Sequence, residues 1–296
     1  MEITSLLNIP PEYREEAGQL YLTGVEMESA SLFDWLVAQF SSDRETRPKG
    51  AVLPQDISEE AYEEMLRHLV EESTRVAIAV ALGEAGHQVH IRQRGARVED
   101  VLPQSPSLGK LRAGDIIVEM DGTKIEDITE LMNLVQGKQV GEPVSLTLIR
   151  RDATIKVETK TMGSSAEPGQ AALGIIVSNH VTEIIDLPFP VEIDTTYVVG
   201  PSVGLMFALA IYDGITPGDL TRGHVIAGTG TLSISGEVGP VGEVRLKALS
   251  AQRHGAEFFL FPRANYKDLE QEAFGKMQPV PVESFAEAKE FLSALD

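Results

Sequence analysis

The sequence predicts an α+β protein whose single chain carries two domains, and three observations lead to that reading. Its 296 residues suffice for two ordinary domains and are too many for one small core. From residue 173 onward, short β-type runs alternate with apolar helical runs, the pattern of an α+β domain. Residues 88–162 have a different character, with short strands, turns and a single helix, and SSAEPGQAA at 164–172 is a composition break of linker type. These shifts divide the chain into residues 1–87, 88–163 and 164–296.

Taken in order, residues 18–41 read as a strand, a break and an amphipathic segment ending near Phe40, and the polar, proline-bearing stretch 42–57 reads as a surface loop. From Ser58 to about Leu82, Tyr62, Leu66, Leu69, Ser73, Val76 and Val80 recur at helical steps. Glu60, Glu63, Glu64 and Glu71 lie opposite, as a solvated face, and Gly83 and Gly86 supply stop signals. The runs VHIRQ, ARVEDVL, DIIVEMDG, VSLTLIR and IKVETKT are short strands, and Asp127–Gln136 is a helix. Strands follow near Leu173–Ser178 and Val191–Asp194, then an apolar helix at Ser202–Tyr212 and β-rich sequence over 224–240. A helix near Glu243–His254 and a strand at Glu257–Phe261 complete the pattern.

Composition excludes several functions. With 25 basic and 45 acidic residues the formal net charge is −20, and sequence-independent nucleic-acid binding needs the opposite balance. The absence of cysteine rules out disulfides, thiolate metal sites and a cysteine nucleophile, and it fits an exported chain. No stretch has the roughly 18–20 apolar residues of a membrane helix, so the chain as given is expected to be soluble. His87 and His90 form an H-x-x-H pair without further ligands, which reads as structural, so no metal or other cofactor is expected.

The run GARVEDVLPQSPSLGKLRAGDIIVEMDGTKIEDITELMNLV at 95–135 resembles a PDZ domain of the bacterial type, above all in SPSLGKLRAGDIIVEMDG with its Asp121–Gly122 turn. The resemblance implies that an extended peptide adds as a strand beside the second helix. Leu131, Leu134 and Val135 on that helix either line this groove or fill the core. The carboxylate-binding loop is expected near Arg92–Gly95, where the sequence departs from the usual Gly-Leu-Gly-Phe.

Two further segments carry candidate chemistry. In VVGPSVGLMFALAIYDGIT at 198–216, Gly200 permits unusual backbone angles and Pro201 suits a first helical turn. Ser202 then stands at a helix start, where unpaired N–H groups are able to stabilise an oxyanion; the plainer role for such a serine is an N-cap. In VGPVGEVRLKALSAQRHGAEFFLFP at 238–262, Val244, Lys247, Ala248 and Ala251 share one helical stripe. A lysine in so small and apolar a stripe is either desolvated, with a lowered pKa, or snorkels to water.

GPSVG followed 45 residues later by that lysine resembles the proteolytic domain of Lon proteases, which use a serine–lysine dyad. GQLYLTGVE at 18–26 looks like the first strand of that domain, and MLRHLVEESTRVAIAVAL at 65–82 looks like its first long helix. The resemblance implies a Lon-type α+β domain of ribosomal-protein-like β-α-β layout, formed by 1–87 and 164–296, with the PDZ domain inserted at 88–163. The arrangement is similar to the membrane-anchored, PDZ-containing Lon-like peptidases of bacteria. By position, Ser202 is then the nucleophile and Lys247 the general base. Thr229 orients the lysine unless it is an ordinary strand residue, and the backbone N–H groups of Ser202 and Val203 form the oxyanion hole.

The implied activity is serine endopeptidase cleavage of unfolded or flexible segments, with the PDZ domain selecting protein or peptide substrates. No G-x-x-x-x-G-K-[ST] loop is present, so no ATP is expected to be used. GPSVG has one serine and no second glycine cluster, which argues against the small-molecule kinases that share the layout. The resemblance also implies a homo-oligomer, commonly a six-membered ring. It further implies an extracytoplasmic location at a bacterial membrane, the anchor being trimmed from a chain that opens at Met1-Glu2-Ile3. Three positions depart from the family. Val203 replaces an alanine and is expected to add bulk beside the serine, Val199 stands where an acidic residue is frequent, and Glu243 replaces a glycine before the lysine helix. The competing reading is a catalytically inactive, PDZ-bearing peptide-binding scaffold.

Overall fold

The computed structural model describes all residues except 11–18, 26–27, 39–40, 42–43, 49–58, 152, 165–168 and 296. Residues 18, 26–27 and 39–40 of the 18–41 segment, the Ser58 helix start, most of the 42–57 loop and the centre of the 164–172 linker therefore lie outside the described residues. The chain divides into two compact units: Met1–His90 with Asp186–Asp296, and Ile91–Ile185 between them.

The first unit opens with β1 (Gln19–Leu22), α1 (Leu32–Ala38) and α2 (Glu59–Glu84). From Val76 to Leu82 every residue of α2 is buried, so its stripe widens into an all-round core helix. The second unit is built on β2 (His90–Val101), β3 (Ile116–Met120), α3 (Ile128–Gln136), β4 (Pro143–Arg150), β5 (Ala153–Lys160) and β6 (Ile175–Ile185). The chain then returns to the first unit through α4 (Gly204–Ile215), β7 (Val225–Gly228), α5 (Val244–Arg253), β8 (Phe258–Pro262), β9 (Gln278–Val282) and α6 (Phe285–Ser293). The last strand and helix were not anticipated from sequence, although the Ser284–Glu287 spacing is a helix-start signal. Ser284 caps α6 by accepting the Glu287 N–H at 3.1 Å.

In the first unit β1, β7, β8 and β9 form an all-parallel sheet in that order. The central β8 (FFLFP) is buried at four of its five positions, as a strand covered on both faces must be. Pro279 and Pro281 fall on β9, an edge strand, where a missing N–H removes no ladder bond. Gly228 ends β7 at a tight approach. A Cβ there would lie 2.5 Å from Met206 Sδ and 2.8 Å from Leu260 O, so α4 and β8 close on a position only glycine fills.

In the second unit the sheet runs β6-β2-β3-β4-β5, with a short Thr123–Lys124 strand also paired to β3. Asp121 and Gly122 both take positive φ at that hairpin, as the Asp-Gly motif requires. Asp127 caps α3 through the Glu130 N–H at 2.9 Å. The buried Asp115 carboxylate is held by Arg150 through two bonds of 2.6 Å. The compact unit continues past the boundary expected at residue 163. β6 pairs with β2, and Leu173 sits in the same core as Ala96, Ile117 and Leu146, so the compact unit extends to Ile185.

Gly228→Ala is expected to lower stability by roughly 1–3 kcal/mol, because the methyl meets the backbone oxygen of Leu260 rather than a flexible chain end. Thermal unfolding followed by circular dichroism measures it, and an unchanged midpoint would show that the sheet yields.

Candidate active site and peptide groove

The turn that presents Ser202 is held by its carbonyls. Gly200 turns the chain at φ +82°, Ser73 of α2 donates to Pro201 O at 3.1 Å, and Gly230 N–H donates to Ser202 O at 2.8 Å. Thr229 Oγ1 donates to the same Ser202 oxygen at 3.0 Å. Helix α4 starts at Gly204 behind an N-cap at Val203 that makes no side-chain cap bond. Ser202 is therefore not the capping residue, and its hydroxyl stays available. Pro201 lies before the helix rather than in its first turn. Among the described residues, no recorded bond takes up the backbone N–H of Ser202 or Val203.

Helix α5 brings Lys247 to that hydroxyl. Its buried residues are Val244, Lys247, Ala248 and Ala251, the stripe read from the spacing. The small side chains pack with Phe259 and Phe261 of β8, so the lysine lies against the sheet instead of reaching water. Lys247 is 7% exposed and Thr229 1%. The Lys247 Nζ donates to Ser202 Oγ at 2.9 Å and to Thr229 Oγ1 at 3.2 Å. Burial lowers the lysine pKa from 10.5 to about 8, against the opposing pull of the Glu243 carboxylate. The arrangement is a desolvated amine, neutral in an appreciable fraction near pH 8, aimed at a hydroxyl beside two unclaimed N–H donors. That set is competent for acyl transfer.

The three departures noted in the sequence take definite places. Val203 is buried at the turn before α4, so little of its side chain is exposed beside the serine. Val199 and Tyr197 are 70% and 78% exposed on the segment leading to Ser202. Glu243 is the residue before α5 and adopts left-handed backbone angles, φ +56° and ψ +27°, where a glycine would be unstrained. His87 packs edge-on against Phe189.

In the second unit, Leu131 and Val135 are buried core residues, while Leu134 is half-buried at the margin. The segment Arg92–Gly95 is not a carboxylate loop. It lies within β2, where Arg92 pairs with Glu183 and its carbonyl accepts from Thr182 Oγ1 at 3.1 Å. A better match to Gly-Leu-Gly-Phe is Ala172-Leu173-Gly174-Ile175, at the start of β6. Gly174 takes φ +67°, and a Cβ there would sit 2.5 Å from Met162 Sδ. Among the described residues β6 is one edge of the sheet, and Ile128 and Leu134 of α3 and Ile175 and Val177 of β6 remain half-buried over one shared core. The Leu-Gly-Ile signal was present in the sequence, but it stood beyond the expected domain end.

Residues 83–161 match the family profile described as PDZ domain, and residues 170–291 match that of the Lon protease C-terminal proteolytic domain. The chain is similar to the Lon protease of Haemophilus influenzae, 37% identical over 99 residues that cover 33% of this chain and 12% of that one. It is 31% identical over 96 residues to the Lon protease of Mesomycoplasma hyopneumoniae, covering 31% and 11%. A longer match, 27% identical over 205 residues, covers 66% of this chain and 24% of the Solibacter usitatus Lon protease. The chain thus spans a quarter or less of the length of these relatives. Among solved structures, the PDZ domain of an SdrC-like protein from Listeria innocua is 26% identical with a TM-score of 0.27, covering 29% of this chain and 96% of that one. The protein is an α+β chain with a PDZ domain and a Lon-type proteolytic domain.

A lysine whose pKa is 10.5 when unfolded and about 8 when folded weakens the fold below pH 8, where both states hold the proton. Between about pH 8 and 10.5 the unfolded state binds more protons, so this penalty, on the order of 3 kcal/mol, disappears as pH rises. Lys247→Met is therefore expected to gain thermal stability relative to the wild type at pH 7, with the gain shrinking by pH 10. Parallel melting curves across that range test it, and a difference independent of pH would place the amine in water.

Proposed function

We propose that the protein is a serine endopeptidase acting through a Ser202–Lys247 dyad, with Thr229 positioning the lysine. The observation that carries this is the buried Lys247 amine 2.9 Å from Ser202 Oγ. The similarity of residues 170–291 to a Lon proteolytic domain supports it independently. Neutral Lys247 takes the Ser202 proton while Oγ attacks a peptide carbonyl. The oxyanion is received by the N–H groups of Ser202 and Val203. The lysine then gives its proton to the departing amine, the C–N bond breaks, and water, activated by the same amine, releases the acyl group and regenerates Ser202. Thr229 donates to Ser202 O, so its oxygen lone pairs face the amine and hold Nζ on the hydroxyl.

The proteolytic domain is proposed to comprise the first unit, with the PDZ domain interposed as the second. Its groove, between α3 and the edge of β6, is proposed to take extended segments of protein substrates by strand addition and so to select them. The sequence lacks a G-x-x-x-x-G-K-[ST] loop, and cleavage is proposed to run without ATP on unfolded or flexible segments. By the same resemblance, the assembly is proposed to be a ring of copies on the extracytoplasmic side of a bacterial membrane. Among the described residues no helix is long and apolar enough to cross a membrane.

Ser202→Ala and Lys247→Ala are each expected to abolish cleavage of an unfolded protein, by 10³-fold or more on the scale of about 10⁴–10⁶ seen for dyads and triads, with the fold intact. Cleavage by wild type should rise with pH towards a plateau above pH 8, as the lysine loses its proton. Failure of both cleavage and labelling by a serine-directed phosphonate would leave a peptide-binding scaffold. Leu134→Lys is expected to raise KM for protein substrates while leaving kcat on a short peptide unchanged. Equal KM values would remove the groove from substrate selection.

A further inference from the structure

We propose that Glu243 controls the protonation of Lys247, and that Arg47 screens Glu243, so that the 44–48 segment acts as a tuning strap on the dyad. The functional consequence rests on the proposed peptidase reading; the electrostatic coupling does not. Glu243 stands one helical turn before Lys247, whose backbone N–H donates to Glu243 O at 3.0 Å. A carboxylate is retained there although the left-handed backbone favours glycine and the side chain makes no cap bond. Helix formation does not explain it. Its carboxylate is gripped in bidentate fashion by Arg47, at 2.6 Å and 3.0 Å.

The grip continues as an alternating row. Arg47 also meets Glu45 at 3.2 Å, Glu45 meets Arg245 of α5 at 3.3 Å, and Arg245 meets Glu272 at 2.7 Å. The strap is thus fastened to the first turn of the helix that carries Lys247. The hydrogen-bond partners of the amine, Ser202 and Thr229, are neutral, and among the described residues Glu243 is the charge that acts on it. An unscreened carboxylate one helical turn away favours the ammonium and opposes a neutral base, whereas a guanidinium paired to it cancels part of that field. Arg47 is 51% exposed and Glu243 20%, which leaves the pair open to salt and to competing charged ligands. Loosening the strap is a route to lower activity at neutral pH without touching the dyad.

The experiment is an NMR titration of the Lys247 ε-carbon in the full chain, alongside the pH profile of cleavage. Arg47→Gln is expected to raise the Lys247 midpoint by about half a pH unit, and Glu243→Gln to lower it by a similar amount. In the Glu243→Gln background, Arg47→Gln is expected to have little effect; with Glu243 in place, Arg47→Lys should keep the Lys247 midpoint close to the wild-type value. Glu243→Gly, which suits the backbone, should reproduce Glu243→Gln and guards against misfolding. A midpoint unmoved by Arg47→Gln, or moved equally in both backgrounds, would overturn the proposal. Midpoints that shift as expected in a chain showing no Ser202-dependent cleavage would uphold this coupling and overturn the peptidase reading instead.

Discussion

Exclusion of water from one amine is the constraint on which the first unit's site depends. A lysine stem is long enough to reach solvent from most helix positions, and doing so is its ordinary behaviour. Lys247 is prevented by what surrounds it. Ala248 and Ala251 are small enough to let α5 settle on Phe259 and Phe261, and the parallel sheet beneath is closed by Gly228, where α4 and β8 approach without room for a methyl. The amine is left with two hydroxyls as partners. An amine in that position gives up its proton more readily because the charged form has lost its hydration. The packing of alanine against phenylalanine is thus what makes acid–base chemistry available near neutral pH.

The second unit uses a different device, the free edge of a sheet. β6 stands at one end of the strand order among the described residues, and sheet edges invite further strands. Gly174 opens that edge in a conformation that crowds Met162 and Ser105 too closely for any side chain, so the turn into β6 depends on glycine. Buried Leu131 and Val135 then fix α3 against the core, and the half-buried ring of Ile128, Leu134, Ile175 and Val177 forms an apolar seam beside the edge. Backbone hydrogen bonds from an edge and apolar contacts from a seam are the two requirements of strand addition.

Much of this was legible in the chain because local rules and packing agree. The stripe of Val244, Lys247, Ala248 and Ala251 is a spacing argument, and the same four residues are buried. The helix containing Leu205 to Ile211 is apolar on every side and is buried on every side. What was missed depended on pairing between distant segments. Periodicity says nothing about β6 bonding to β2, more than seventy residues earlier, so the composition break at 164–172 carries no sign that the compact unit continues beyond it. The strand Gln278–Val282 was hidden by Pro279 and Pro281, which are tolerated because β9 is an edge. The bulk of Val203 pointed to a crowded site, but its burial depends on where the turn before α4 faces, which sequence does not specify.

The turn carrying Ser202 shows why a hydroxyl at a helix start need not become a cap. A serine there ordinarily accepts a backbone N–H two or three residues on, which stabilises the helix by about 1 kcal/mol and removes the hydroxyl from other use. Here the anchoring comes from elsewhere. Ser73 grips the carbonyl of Pro201, Gly230 and Thr229 grip that of Ser202, and Leu205 N–H returns a bond to Gly230 O at 3.1 Å. Gly204 lets α2 come close enough for the first of these, since a Cβ there would lie 2.8 Å from Ser73 Oγ. With the turn secured through carbonyls, neither the Ser202 hydroxyl nor the adjoining N–H groups are needed to hold it. The hydroxyl that local structure would normally consume is the one left facing Lys247, and a second hydroxyl, that of Thr229, ties the turn and the amine into one network.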